Sequence, residues 1–362
     1  MHHLLKMLNI QYPIIQAPMA LSDSPALVAA ISNQGGLGSL GAALFTPEQI
    51  RQKIKEIRKL TDKPFNINLF TPTEKPHYTQ EEIKETVESL NYFRKKLNMP
   101  ECEEIEIPLA ASFEEKLSVL LEEKIQIFSF TFGILSAETI KKIKSHGIKV
   151  IGTATTVKEA KQLEKNDVDV IVAQGYEAGG HRGTDLQYTP IDDALIGTMA
   201  LIPQVVDAVK IPVIASGGIM DGRGIVSAIA LGASGVQMGT AFLTALESGI
   251  HPEHRKRLLN STDESTRLTK AFTGRMARSL KNDFLMEMEK RHFPILDFPV
   301  QSALVKDIRE EAKKQNNAEY MSLWAGQASA LCQNKSAGEI VIRLLDEVRE
   351  IKKMLEEINY YF

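Results

Sequence analysis

The sequence predicts an α/β protein of the (β/α)8 TIM barrel class, with a mainly helical subdomain inserted before the last helix. Short apolar runs of strand character alternate with helical segments from Ile14 to Met238. That rhythm argues for parallel pairing with right-handed crossovers. Eight such runs with seven intervening crossovers are present, the count for a closed barrel. Glycine-rich turns follow the last three runs, at the edge where a barrel places its ligands. An open doubly wound sheet is the alternative; it would normally carry fewer strands and a single nucleotide fingerprint.

Ile14–Ala17 reads as the first strand, closed by Pro18, Met19 and Ala20. Ser24–Gln34 reads as a helix, with Ser22 or Ser24 as cap and Pro25 in its first turn. Leu37–Leu40 is the second strand, Pro47–Leu60 a basic amphipathic helix and Phe65–Phe70 the third strand. The rhythm breaks after Thr71. Pro72–Lys124 is rich in Glu and Lys, with helical spacing at Gln80–Leu97 and Ser112–Glu122 and an irregular stretch at Met99–Pro108. It reads as an elaborated crossover over one rim of the barrel, its charges a solvated face.

The rhythm resumes with strands at Ile125–Thr131 and Lys149–Ala154 around a helix at Ser136–His146. Thr156–Asn166 is a helix opened by the pair Thr156 and Glu159, a capping pattern. Val168–Ala173 is the sixth strand, Asp192–Val209 a helix, Pro212–Ala215 the seventh strand, Gly222–Leu231 a helix and Gly235–Met238 the eighth strand. From Phe242 to about Lys335 the pattern changes. Thr266–Thr273 alternates like a strand and leads into Gly274–Arg278; helical segments follow, interrupted near Pro294 and Pro299. Glu339–Ile358 closes the eighth unit, with Val341, Leu344, Leu345, Val348, Ile351, Leu355 and Ile358 on one face. The expected division is a barrel formed by residues 1–245 and 336–362, with 246–335 as an inserted subdomain covering the substrate.

Composition bounds the function. The 362 residues are 43% hydrophobic and 25% charged, and the net charge of −3 gives no reason to expect nucleic acid or an acidic membrane surface. Cys102 and Cys332 stand in unrelated contexts, which argues against a disulfide framework and fits a reducing compartment. No apolar run is long enough to span a bilayer, and the start MHHLLKMLNIQYP has no secretion-signal pattern. A cytoplasmic enzyme is expected. There is no nucleophile elbow, no Walker-type loop and no metal-ligand spacing; His251 and His254 flank Pro252 and read as exposed.

The stretch Val168–Gly183 organises the functional reading. Its loop, Gly175–Gly183, holds four glycines and His181. Glycine lets a ligand approach the main chain closely, so Gly179 and Gly180 fit a site into which His181 is aimed. A tight turn with a solvated histidine would show the same residues. Ala215, Ser216, Gly217 and Gly218 end one strand, and Gln237, Met238, Gly239 and Thr240 end the next. Their backbone N–H groups, with the N-terminus of the Gly222 helix, are expected to bind a phosphate. Ala17, Pro18, Met19, Asn68 and Gln174 offer the backbone and amide groups that the pyrimidine edge of a flavin needs.

In these segments the sequence resembles the nitronate monooxygenases, the family once called 2-nitropropane dioxygenases. The matching stretches are YPIIQAPMA, GGLGSLGAA, KPFNINLF, FSFTFG, GTATTVKEA, DVIVAQGYEAGGHRG, PVIASGGIMDGRGI, ALGASGVQMGTAFL, FTGRMARSL and SLWAGQ. AQGYEAGGHRG with GTATTV is distinctive of the first class. The resemblance implies an FMN-dependent barrel that oxidises alkyl nitronates, propionate 3-nitronate among them, with O2 to a carbonyl compound and nitrite. By position, the flavin contacts fall on Asn68, Gln174, Gly179, Gly218 and Gln237–Thr240, and the active-site histidine on His181.

A neutral imidazole titrating near working pH would suit both removal of a nitroalkane proton and, as a cation, support of the anion. FMN is expected to be non-covalently bound. Arg182, Arg275 and Arg278 are candidates for a substrate carboxylate, and phosphate-binding or surface arginines otherwise. The same residues are compatible with two other functions: a flavin-dependent enoyl-acyl-carrier-protein reductase using NADH, and a flavin-binding barrel without turnover. The physiological substrate and the choice between monomer and homodimer are open too.

Overall fold

A computed structural model describes residues 2–72, 76–103, 105, 111–187 and 189–358. Its strands are β1 Ile14–Gln16, β2 Gly38–Gly41, β3 Phe65–Phe70, β4 Ile127–Thr131, β5 Lys149–Ala154, β6 Val170–Gln174, β7 Gly180–His181, β8 Val213–Ser216, β9 Gly235–Met238, β10 Thr266–Thr269 and β11 Ala277–Leu280. Among the described residues eight of these lie parallel in the order β1-β9-β8-β6-β5-β4-β3-β2. The ring closes between β1 and the start of β2: Gln16 N–H donates to the Leu37 carbonyl at 2.9 Å, and Leu37 N–H to the Ile14 carbonyl at 3.0 Å. The sheet is therefore a barrel and not the open doubly wound alternative.

The barrel interior is layered. Leu4 and Leu8 of helix His2–Leu8 pack with Ile15, Leu37, Ile127, Ile151, Val170, Val172 and Ile214 near the amino ends of the strands. The sequence reading gave this helix no place, although its Leu4/Leu8 pair has helical spacing. Higher up, Gln16 Oε1 accepts from Ser39 N–H at 2.8 Å. Asn66 donates to Ser39 Oγ and Ser129 Oγ, and Asn68 to Ser129 Oγ at 2.9 Å. This polar layer fixes amide side chains just below the carboxyl ends of the strands.

A second core sits over the barrel. Helix Gln80–Lys96 starts at a Thr79/Glu82 capping box and contributes Val87, Leu90 and Phe93. They pack with Phe272, Phe284, Leu304 and Ile308 from the later region. Arg94 of the same helix is fully buried; its Nε meets Asp307 Oδ2 at 2.8 Å and its Nη2 meets Asp307 Oδ1 at 3.2 Å. The charge-rich excursion is thus not simply a solvated face. One of its arginines ties it to helix Lys306–Lys314. Of the irregular stretch expected at 99–108, residues 104 and 106–108 lie outside the described residues.

Two local differences bear on the site. The expected helix Asp192–Val209 is a short turn at Asp192–Ala194 and a separate helix, Thr198–Ala208. Glu177 of the organising loop accepts the Thr198 N–H and the Thr198 hydroxyl (2.7 Å), so the helix restarts where that loop caps it. The FTGRMARSL segment also differs: Ala277–Leu280 is the central strand of an antiparallel sheet in the order β10-β11-β7. Its register pairs Ala277 with His181. The glycine loop is therefore pinned into a small sheet and is not a free turn. The closing helix, Ala337–Ile358, buries Ile340, Val341 and Leu344, but Leu355 is exposed. Its apolar stripe works only in its first half, and the Ile358 side chain lies outside the described residues.

Candidate active site

The sheet order sets β1, β9, β8 and β6 side by side. Register pairs Ile15 with Gln237, Ser216 with Gln237, and Gln174 with Ser216. Ala17–Met19, Gln237–Thr240, Ser216–Gly218 and Gln174 therefore occupy four consecutive strand ends on one rim. Asn68, buried, lies within β3, two strands beyond β1. Met238 is buried in the barrel core and offers the site only its backbone.

The β1 rim segment is braced by a residue the sequence reading missed. Asp23 Oδ2 accepts Met19 N–H at 2.8 Å and Gly41 N–H at 2.7 Å. Burial outweighs those bonds and pushes its carboxyl up to about 7.

The anion cradle differs from the expected one. Helix Gly222–Ala230 does not offer its N-terminus. The Asp221 carboxylate accepts from Arg223 N–H and Gly224 N–H, and Glu347 accepts from Gly222 N–H at 2.8 Å. What remains is backbone at the tips of β8 and β9. Gly217 and Gly218 have φ of 118° and 71°, which favours glycine. Gly239 has φ −101°, and an added Cβ would meet Ala17 and Met19 only at ordinary contact distances of 3.4 Å and more. Nothing in the chain itself demands glycine there, which suits a position approached by another molecule. Gly179 is different: an added Cβ would stand 2.5 Å from Ala325 and Gly326 backbone, so its smallness serves packing. At Gly180, φ is 70° and an added Cβ would meet nothing within 4 Å.

Gln174 holds the histidine loop. Its Nε2 donates to the His181 carbonyl at 3.1 Å and its Oε1 accepts Gly183 N–H at 2.8 Å. Arg182 is buried beneath the loop and donates to the Gly175, Gln174 and Ala194 carbonyls. Arg278 donates to the Tyr176 carbonyl and lies 4.5 Å over the Tyr176 ring. Both are scaffold residues. Arg275 is placed otherwise: its guanidinium lies 4.0 Å over the Phe132 ring, with one bond to the Thr184 carbonyl.

His181 stands among Phe132, Trp324 and Thr273. Its ring centroid is 5.6 Å from that of Phe132 and 5.1 Å from that of Trp324. Its Nε2 is 2.8 Å from Thr273 Oγ1, which also lies 3.3 Å from the Arg275 carbonyl. The arrangement that satisfies all three groups has Nε2–H donating to Thr273 and the Thr273 hydroxyl donating onward. Nδ1 is then the lone-pair nitrogen. Part of the ring surface stays accessible, yet burial of the ring, with the positive charges of Arg275 and Arg309, pushes it down to about 3. The expected imidazole titrating near neutrality is replaced by one held neutral. Phe132 carries φ 78°, a costly conformation for an aromatic residue. Strain of this kind gathers at functional sites.

Thr273, Phe132, Trp324 and Arg309 were not singled out from sequence; only their position in the folded chain joins them. His254, expected exposed, is buried with its Nε2 3.1 Å from the Trp324 carbonyl, and burial pushes it down to about 4. Among the described residues no group of His, Cys, Asp and Glu is arranged to hold a metal ion, and no helix is long and apolar enough to cross a membrane.

A closed barrel with glycine backbone at the tips of two adjacent strands, and a largely buried imidazole on a loop held by the neighbouring strand end, has the layout of a ligand-binding (β/α)8 protein. The comparisons narrow the class. Residues 2–347 match the family described as nitronate monooxygenase. A "Probable nitronate monooxygenase" of Staphylococcus saprophyticus is 42% identical over 349 residues, covering 95% of this chain and 97% of the relative. One of Staphylococcus haemolyticus is 42% identical over 350 residues, covering 97% and 98%. A solved nitroalkane oxidase from Streptomyces ansochromogenes superposes with a TM-score of 0.89 at 36% identity, covering 97% of this chain and 99% of that one. FabK from Thermotoga maritima superposes with a TM-score of 0.77 at 29% identity, covering 99% of each chain. The chain belongs to the nitronate monooxygenase family, and its class is that of a nitronate-oxidising oxidoreductase.

Proposed function

We propose that the protein is an FMN-dependent nitronate monooxygenase acting on alkyl nitronates such as propionate 3-nitronate. In the net reaction two nitronates share one O2: in each the carbon–nitrogen bond breaks, one of the two oxygen atoms becomes the carbonyl oxygen, and the nitrogen leaves as nitrite. The observation that carries this reading is the juxtaposition of His181, held neutral, with a cradle at two glycine-bearing strand tips.

The residues present fit a flavin mononucleotide. Gly218, Gly239 and Thr240 would receive the phosphate, and Ala17–Met19, Asn68 and Gln174 would line the ring; bound FMN would supply the electron transfer. The chain's residues do the rest. Thr273 orients the imidazole, and Nδ1 accepts a proton when the substrate arrives as a nitroalkane. Phe132 and Trp324 pack against the imidazole and, with the second core, would keep water from it. Residues 246–335, with helix Gln80–Lys96 packed into the same core, would cover the substrate.

The likeness to FabK keeps one second reading in view, an NADH-linked reductase. Aerobic incubation of the flavin-loaded protein with propionate 3-nitronate, with nitrite measured, tests the proposal. Nitrite release without NADH is the expected result; an inert yellow protein, or flavin bleached rapidly by NADH without oxygen, would count against it.

A further inference from the structure

Among the described residues the Arg275 side chain makes a single hydrogen bond, fewer than Arg182, Arg278 or Arg309. Arg182 donates to three carbonyls, although its Nε too is buried without a partner, and Arg278 is engaged by the Tyr176 carbonyl and ring. Arg275 is 7% exposed, uses one donor on the Thr184 carbonyl, and leaves its Nε buried without a partner. It forms no ion pair among the described residues. Asp185 and Glu159 are near enough to favour its charge, but both carboxylates are engaged by backbone. Asp185 accepts Gln187 N–H at 3.0 Å, and Glu159 accepts the N–H groups of Thr155 and Asp185. Arg309 repeats the pattern: it donates to Ser302, its Nε is buried without a partner, and it too forms no ion pair among the described residues.

A buried guanidinium without a counter-charge is costly. Two of them whose fields reach the same histidine suggest that the missing charge arrives with the ligand. The geometry says which end of the ligand carries it. Arg275 lies over the face of Phe132, whereas His181 meets that ring at a steep angle of 74°. Both groups contact one aromatic ring, so a short substrate whose reacting carbon sits at His181 would present its other end towards Arg275.

We propose that Arg275 is a specificity-determining residue: it receives a carboxylate at the end of the substrate remote from the nitronate carbon, with Arg309 adding to the positive field. The inference rests on the nitronate-oxidising reading. Guanidinium suits the role because its planar fork matches a carboxylate, while the Phe132 face holds it in place from one side.

The test compares propionate 3-nitronate with propyl-1-nitronate, which lacks the carboxylate. The two kcat/KM values are measured in the wild type and in Arg275→Met and Arg275→Lys, with FMN occupancy and melting checked first. In Arg275→Met the ratio favouring propionate 3-nitronate is expected to fall about 10- to 100-fold, the scale of a lost charged hydrogen bond, through KM more than kcat. Lys is expected to restore part of it. An unmoved ratio in a folded, flavin-loaded Arg275→Met enzyme overturns the inference alone. Failure of the wild type to oxidise either nitronate overturns the functional reading and this inference with it. If Arg275→Met does not fold, wild-type inhibition decides. Propionate is expected to compete with propyl-1-nitronate and propionamide not to; equal behaviour of the two overturns the assignment.

Discussion

Replacing His181 by Asn tests the chemistry most sharply. Asn keeps a polar group near Thr273 but removes the Nδ1 lone pair that the Thr273 bond leaves free and that the proposed function uses as the base. Burial and the two arginines push the imidazole down to about 3 from an ordinary 6.5. The sign follows: the folded protein disfavours the imidazolium, so the base stays unprotonated from neutral pH down through 6.5. A nitroalkane needs that base, and a ready-made nitronate has already lost its proton. General-base losses run to roughly 100- to 10,000-fold. His181→Asn is therefore expected to lose that much on a nitroalkane and less than about 10-fold on its nitronate, the difference being the proton step alone. The assay measures kcat/KM on both forms of one substrate, in wild type and variant, with FMN occupancy matched. The wild-type nitroalkane profile against pH is recorded alongside. Equal losses on the two forms would refute the base role and leave His181 as a group that polarises the anion. An acid limb centred near 6.5 would refute the buried, positively flanked environment.

Three further outcomes follow from named contacts. Gly239→Ala should fold normally, because the added methyl meets Ala17 and Met19 only at ordinary distances, yet lose FMN affinity in a flavin titration; full retention would move the phosphate elsewhere. Asp307→Ala strips the buried Arg94 of its carboxylate, and since Asp307 is partly exposed the expected cost in denaturant unfolding is about 1–3 kcal/mol. Asp23→Asn keeps an acceptor for Met19 and Gly41 while removing an acid whose folded value, about 7, exceeds its ordinary 3.8. The folded wild type holds that proton and the unfolded chain does not, so wild-type stability falls as pH rises from 3.8 towards 7. The Asn variant should gain on it over that range, and parallel pH dependences would contradict the assignment.

The barrel could be read from sequence because each βα unit carries its own local signals. Apolar runs mark the strands, Thr156 with Glu159 and Ser24 with Pro25 mark helix starts, and both pairs act as expected. What escaped depends on partners far away in the chain. The Gly222 helix looked like a phosphate site because neither its Asp221 cap nor Glu347, 125 residues on, was weighed. His181 looked like an ordinary imidazole because its neighbours Thr273, Arg275 and Trp324 lie some ninety residues or more downstream. Arg182 and Arg278 could be read only as candidates for a carboxylate, or as phosphate or surface arginines, because an arginine's free donors show only once the carbonyls around it are in place. Arg94 looked solvated because its run is charged, and only the fold brings Asp307 to it.

The central claim is tested most directly by oxygen uptake of the FMN-loaded protein on propionate 3-nitronate, in the absence of NADH, with nitrite counted in the same vessel. The account predicts that oxygen is consumed and nitrite appears together, both saturating with nitronate. Oxygen uptake that requires NADH and proceeds without nitrite would contradict it.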